Sequence, residues 1–258
     1  MKRIAWLTDI HLNFLLAEQV REFLLSVARL RADAVLVSGD IAEAYNICDY
    51  LEMMRELVGA PIYFVLGNHD YYHGSIAEVR QQVTQLCAER PGLTFLTAAG
   101  AVPLTPHVTL VGHDGWADAR AGNFDRSLVQ MMDYRLIADL TGLDKPSRRQ
   151  MLEQLGDEAA AHIRQVLPDA LARTRDVLLV THVPPLRATC WYEGRISDDD
   201  WAPHFTCQAL GEAALEIMAA HPDNRLTILC GHTHGQGECQ PAPNVQIISL
   251  CEEPHCPA

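Results

Sequence analysis

The 258-residue sequence has no apolar run near the ~20 residues needed to cross a bilayer. Its start, Met1-Lys2-Arg3, is basic enough to open a signal peptide. Thr8-Asp9 and then His11 and Asn13 interrupt the apolar stretch behind it, so no continuous hydrophobic region follows. The eight cysteines contain no CxxC pair. Zinc-finger spacing and a disulfide framework are thereby excluded, and free thiols in a reducing cytoplasm are expected. Cations are scarce: 20 Lys and Arg stand against 33 Asp and Glu, for a net charge of −13. That balance argues against a nucleic-acid or membrane-surface partner. It leaves room for a phosphate-bearing substrate, because bound cations reverse the field locally. Internal repeats and low-complexity stretches are absent. The tail Cys251-Glu252-Glu253-Pro254-His255-Cys256 has metal-binding residue types but reads as an exposed end.

What the chain does have is the composition of a globular protein, 48% hydrophobic and 21% charged. A single domain over 1–258 is expected. Short apolar runs alternate with stretches of helical period. Ile4-Ala5-Trp6-Leu7, Ala34-Val35-Leu36-Val37 and Pro61 to Leu66 read as buried strands. Helices are predicted between them, over Leu16–Leu30 and Ile47–Val58, and a third follows over Ile76–Arg90. The alternation predicts parallel βαβ units and an α/β class. Short strands follow at Thr94–Leu96 and Val108–Val111. The segment 117–168 carries two helical stripes (Leu128, Met131, Met132, Ile137, Leu140, then Met151, Leu152, Leu155, Ile163, Val166), and predicts a helical cap insertion over a site, followed by the helix that packs on the next strand. Strands at Val177–Val180, Leu226–Leu229 and Val245–Leu250 complete the pattern, with an aromatic-rich loop at 184–206 and a helix near 210–218.

The strands end in a consistent way. Asp9 and His11, Asp40, Asn68-His69-Asp70, His182, and His232 with His234 all sit just past an apolar run. Parallel strands put their carboxyl ends on one edge, where α/β sheets bind ligands. These seven oxygen and imidazole donors (Asp9, His11, Asp40, Asn68, His182, His232, His234), with no thiolate, suit Mn²⁺, Fe, Zn²⁺ or Ni²⁺. They are too many for one tetrahedral ion. Asp9 or Asp40 is expected to bridge two ions. Read as an extended segment, His232-Thr233-His234 offers its two imidazoles to two neighbouring ions.

The set Asp9-x-His11, Gly39-Asp40, Gly67-Asn68-His69-Asp70, His182 and Gly231-His232-x-His234 resembles the signature of the calcineurin-like metallophosphoesterases. The resemblance implies an αββα sandwich of two mixed β-sheets flanked by helices, with two divalent ions at the sheet edge. Mn²⁺ or an Fe/Mn pair is favoured, with Zn²⁺, Ni²⁺ and Co²⁺ as further candidates. One ion would take Asp9, His11, Asp40 and His234. The other would take Asp40, Asn68, His182 and His232. His69 would face the substrate as a general acid, and Asp70 would orient its ring. Ions about 3.5–4 Å apart can clamp a phosphoryl group and share a hydroxide for in-line attack.

The sequence departs from the protein-phosphatase branch, for which the resemblance implies an arginine before Gly-Asn-His and another after Gly-Asp. Leu66 and Ile41-Ala42-Glu43-Ala44 stand there instead. Fewer guanidinium forks favour a phosphodiesterase acting on a small organic or nucleotide substrate. The alternatives are a broad phosphomonoesterase or protein phosphatase, then a nuclease, then a non-catalytic scaffold. Arg120, Arg126, Arg187 and Arg195 are candidate phosphate contacts from the insertion and the long loop. His113, Asp114, Trp191 and Arg195 are candidate substrate contacts, and Trp116, Trp191, Tyr192 and Trp201 a candidate aromatic rim.

Overall fold

The computed structural model describes residues 2–250; the Cys/His tail at 251–256 lies outside them. Strands β1 (Ile4–Leu7), β2 (Ala34–Ser38), β3 (Ile62–Val65) and β4 (Leu93–Phe95) form a parallel sheet in that order. The connections are helices α1 (Ala17–Arg29), α2 (Ile47–Val58) and α3 (Ile76–Glu89). Local partners meet their free end groups. Gln19 accepts from the Leu16 amide ahead of α1, and Ser75 caps α3. Gly59, in the left-handed region, ends α2.

The second sheet comprises β5 (Val102–Thr105), β6 (Val108–Gly112), β7 (Asp176–Val180), β10 (Arg225–Cys230), β11 (Gly237–Ala242) and β12 (Val245–Ser249). Its order is β11-β12-β10-β7-β6-β5, with four parallel inner strands and two antiparallel edges. Both edge strands escape sequence reading. β5 carries Pro103 and β11 carries Pro241, which only an edge tolerates, and neither shows a buried run.

Three apolar layers hold the sandwich. Leu36, Val65, Leu110, Val180 and Leu229 meet between the sheets. Helices α1, α2 and α3 cover the outer face of the first sheet through residues such as Leu24, Leu51 and Val83. Helices α5 (Lys145–Arg173) and α7 (Gln208–Ala219) cover the second, with Ile163, Leu167 and Leu210 on Val177, Leu179 and Ile228. Each fully buried Leu, Ile or Val contributes about 1.5–3 kcal/mol. This is the αββα arrangement.

The segment 117–168 differs from the expectation. Residues 117–132 are irregular, α4 (Asp133–Leu136) is a single turn, and Leu128 projects into solvent, 89% exposed. Its polar groups are spent on tertiary partners instead: the Ser127 hydroxyl donates to the Asp200 carbonyl, and Tyr134 bonds to His204. The second stripe forms the helix expected to pack on the next strand. α5 starts at an Asp144 cap, runs through Pro168 to Arg173, and packs on the sheet. The loop after β7 contains the hairpin β8 (Trp191–Tyr192) and β9 (Arg195–Ile196), then α6 (Ala202–Phe205). Among the described residues no helix is long and apolar enough to cross a membrane, and the cysteines are free thiols.

Candidate metal centre

The loops after β1, β2, β3, β7 and β10 meet at one edge, and the donor side chains meet with them. Asp9, His11, Asp40 and His234 bring one ligand atom each within 4.8 Å of one another. His11 Nε2 lies 3.8 Å from Asp40 Oδ2, and His234 Nε2 3.6 Å from Asp9 Oδ1. On the other side of Asp40, His182 Nε2 is 3.4 Å from its Oδ1. Asn68 Oδ1 then lies 3.0 Å from His182 Nε2 and 2.9 Å from His232 Nδ1. Asp40 belongs to both groups.

Backbone geometry drives this convergence. Of nine non-glycine residues with positive φ among the described residues, five are Asp9, His11, Asp40, His232 and His234. Left-handed backbone outside glycine is strained and collects at functional sites. His232 and His234 therefore do not lie on the extended segment expected; a tight turn, closed by Thr233 N–H on the Gly231 carbonyl, sends one ring to each group. Gly67 and Gly231 give the carboxylates room. A Cβ at Gly67 would collide with Asp40 Oδ1, and one at Gly231 with Asp9 Oδ2.

The hydrogen bonds also determine which ring nitrogen faces inward. His182 Nδ1 donates to the Ser38 carbonyl at 2.8 Å, and His232 Nε2 to the His204 carbonyl at 3.1 Å. Their other nitrogens point at Asn68 Oδ1. The Asn68 amide is turned that way because its Nδ2 donates to Asp133 Oδ1 at 2.9 Å. Three acceptor atoms thus face one another, and only a cation or a proton can sit among them. Burial presses His232 down to about 3, so its inward nitrogen is a bare lone pair. Burial also opposes charge on His182, but Asp40, with Asp9 and the Ser38 carbonyl, outweighs it and raises His182 to about 10, so without a cation the proton among these atoms sits on its inward nitrogen. Neighbouring ligands of an octahedral ion with bonds of about 2.1 Å lie about 3.0 Å apart. The separations at Asn68 match that spacing, and the donor set fits divalent ions.

His69 sits beside this cluster. Its ring stacks on Tyr72 at 4.3 Å and meets the edge of His11 at 4.6 Å. Asp70 does not orient it. The buried Asp70 carboxylate accepts from the Ile41, Ala42 and Gly67 amides at 2.9, 2.7 and 2.8 Å, which ties the β2 loop to the β3 loop, and His69 Nδ1 makes no hydrogen bond to it. Tyr72 holds the ring instead, and Tyr72 in turn donates to Asp133 Oδ1 at 2.8 Å. Sequence reading misses Asp133 and Tyr72, since Met131-Met132-Asp133-Tyr134 carries no motif. A cavity of about 260 Å³ opens over Asp40, Asn68, His69, His232 and His234, walled by Tyr72, Gln130, Met131, Met132, Trp201 and Phe205.

Four candidate substrate contacts lie elsewhere. Asp114 is fully buried among Leu66 N–H, Thr97, Tyr71 and Arg80, a brace between the sheets. Burial raises its carboxyl, but Arg80, His113 and the hydrogen bonds from Tyr71 and the Leu66 amide together outweigh that and hold it below the usual range. His113 lines a separate depression with Arg80, Glu158 and His162. Trp191 packs over Gly235 and Gly237, and Arg195 is exposed on β9. Of the aromatic rim, Trp116 lies in the core against Tyr71, while Trp201 lines the cavity and Tyr192 packs on it. Arg120 pairs with Asp118 and Asp157, Arg187 pairs with Asp199, and Arg126 is exposed.

The family model described as calcineurin-like phosphoesterase matches residues 2–236. The chain belongs to the calcineurin-like phosphoesterase family. Among solved structures, this calcineurin-like chain resembles the phosphopantetheinyl hydrolase PptH of Mycobacterium tuberculosis, with a TM-score of 0.64 and 16% identity over 96% of this chain and 89% of that one. It also resembles a dimetal phosphatase from Danio rerio, with a TM-score of 0.58 and 16% identity over 97% and 87%. The TT1561 protein of Thermus thermophilus follows with a TM-score of 0.53 and 14% identity over 98% and 90%. Identity at this level speaks for the fold. No curated protein matches significantly in sequence.

Proposed function

We propose that this phosphoric ester hydrolase is a binuclear phosphodiesterase acting on a small organic or nucleotide ester. The observation that carries the reading is the pair of donor groups joined at Asp40. Asp9, His11, Asp40 and His234 would hold one divalent ion, and Asp40, Asn68, His182 and His232 the other. Bound there, two divalent cations would neutralise phosphoryl oxygens and supply activated water at neutral pH. The oxygen and imidazole donors, without thiolate, favour Mn²⁺ or an Fe/Mn pair.

The protein's own share falls largely to His69. Its Nδ1 is buried and without a hydrogen-bond partner, and the stack on Tyr72 holds the ring at the cavity. An imidazolium there can pass its proton from Nε2 to the departing ester oxygen. Among the described residues, no Arg or Lys lines the cavity. A monoester dianion would lack the bidentate clamp that guanidinium provides, whereas a diester carries one charge fewer. The fold relatives named for phosphatase and phosphopantetheinyl hydrolase activity support phosphoester chemistry without deciding between esters.

The test is a metal titration followed by a substrate pair. Mn²⁺-loaded protein should hold two equivalents and cleave bis(p-nitrophenyl) phosphate faster than p-nitrophenyl phosphate. Faster monoester turnover would overturn the diester preference. Fewer than one equivalent of metal, or no turnover with any divalent ion in folded protein, would overturn the enzyme reading.

A further inference from the structure

We infer that the wall of the cavity is a subsite for a flat, uncharged ring carried by the ester, and that it selects against charged substituents. The inference rests on the phosphoester reading above and names the substrate class of the same site. The wall is built outward from a metal-ligand position. Phe205 meets His232 face to edge at 5.3 Å, Trp201 stacks on Phe205 at 5.2 Å and 23°, and Tyr192 packs on Trp201 at 5.0 Å. These rings brace one another, so the surface that they offer is preformed, and little ordering entropy is lost on binding.

Met131 and Met132 complete the wall from the cap segment, and Met132 is 49% exposed. Thioethers are polarizable, adapt their shape and make favourable contacts with ring edges. At the donor cluster, Phe14 is 56% exposed and stacks on His11 at 5.4 Å. Two methionines and a tryptophan around one small opening, with an exposed phenylalanine beside the donor cluster, are costly in water unless an apolar group covers them.

Charge and volume narrow the occupant. Lys145 is occupied by the Asp125 and Ser127 carbonyls, and the lining residues carry the Asp40 carboxylate with Asp133 just behind. Among the described lining residues, an anionic substituent would meet no Lys or Arg. The cavity of about 260 Å³ lies below the usual range of drug-sized sites, about 300–1,000 Å³. It has room for one phosphoryl group and one ring, with the leaving group outside it.

The test keeps the leaving group constant. Mn²⁺-loaded protein is given p-nitrophenyl diesters whose second substituent is methyl, phenyl, 4-carboxyphenyl or thymidine-5′-yl. The phenyl ester should exceed the methyl ester in kcat/KM about tenfold, as expected for burying a ring, and the carboxylated ring should fall back by a similar factor. A thymidine ester at or above the phenyl ester assigns the ring to a nucleobase; one below it assigns the ring to the ester oxygen itself. Calorimetric titration supplies a readout without turnover: phenylphosphonate should bind about tenfold tighter than methylphosphonate. Trp201→Ala should bring the phenyl-to-methyl ratio towards one, and Met132→Lys should shift preference towards the carboxylated ester, with melting curves confirming that both variants fold. Equal kcat/KM for methyl and phenyl esters, or preference for the carboxylated ester in the unaltered protein, overturns the subsite while leaving the hydrolase reading intact. No turnover of any ester overturns both.

Discussion

Asp133 offers the sharpest test of the second metal position proposed at Asn68, His182 and His232. It is 6% exposed and lies on α4, in the segment that covers the site rather than in a strand loop. A single oxygen, Oδ1, accepts from Asn68 Nδ2 at 2.9 Å and from the Tyr72 hydroxyl at 2.8 Å. The first bond turns Asn68 Oδ1 towards His182 and His232. The second steadies the ring on which His69 stacks. Asp133→Leu keeps a branched side chain, somewhat larger, and removes both acceptors. Asp133→Asn keeps an oxygen that can accept both bonds and removes only the charge.

The magnitude follows from the bond that sets the amide. A hydrogen bond to a charged group is worth about 1.5–3 kcal/mol. That places the limit on the loss at roughly 10- to 150-fold. Outer partners of metal ligands typically cost about 10- to 100-fold when removed. Calorimetric titration of metal-free protein with Mn²⁺ should therefore show Asp133→Leu with an ordinary first site and a second site weakened about 10- to 100-fold. Asp133→Asn should stay within a few-fold of the parent at both. Unchanged second-site affinity in Asp133→Leu would refute the reasoning. Equal weakening of both sites with a broadened melting curve would refute it too, since that is the mark of general disruption.

Four further outcomes follow. His69→Asn should retain both metal equivalents and lower kcat about 10²- to 10⁴-fold; loss of metal on elemental analysis would contradict its placement outside the donor set. Gly67→Ala should cut bound Mn²⁺ and cost about 1–3 kcal/mol of stability, because its Cβ collides with Asp40 Oδ1; full metal content would refute the close-approach argument. Asp114→Asn should lower stability by about 3 kcal/mol, near the low end for a broken buried pair, since Arg80 keeps Glu158. Metal stoichiometry should stay at the parent value, and a loss of metal would return Asp114 to the site. Chelation should lower the melting temperature by about 5–10 °C per site relative to protein at a free Mn²⁺ concentration of about 100 Kd, where binding stabilises by about 2.7 kcal/mol; coincident melting curves would refute the coupling.

The layout is legible wherever burial writes itself into the sequence. The strands with continuous apolar runs and the helices with a regular stripe fall where Val35, Leu36 and Val37, or Leu51 and Met54, require. The donors are legible because each follows such a strand directly. The edge strands are not, because an edge needs only one face covered. The cap reads as helical because Leu128, Met131 and Met132 have helical spacing, but they serve another purpose: Met131 and Met132 face a cavity, and Leu128 faces solvent. Asp70 misleads for a related reason. Adjacency to His69 suggests a partner for its ring, but the carboxylate points the other way, to three amides. Asp133 acts across 65 positions of sequence, and no local pattern encodes that contact.

The strain at the centre sharpens what Asp70 does. Left-handed backbone at five donor positions costs about 1–3 kcal/mol each, near the low end because Asp and His tolerate that region better than most residues. Even so the sum rivals the whole stability of an ordinary domain, about 5–15 kcal/mol. The loops can hold such a conformation only by holding one another. Asp9 N–H donates to the Gly39 carbonyl at 3.1 Å, His11 N–H to the Asp40 carbonyl at 3.0 Å, and His232 N–H to Asp9 Oδ1 at 3.0 Å. His69 N–H donates to Asp40 Oδ1 at 2.9 Å, and Asp70 closes the circuit between the β2 and β3 loops. Asp9, His11, Asp40 and His232 are thus each tied to the backbone of a neighbouring loop. On this account the Asp70 carboxylate contributes by fixing Asp40, and its loss should register in metal affinity before it registers in the proton transfer proposed for His69.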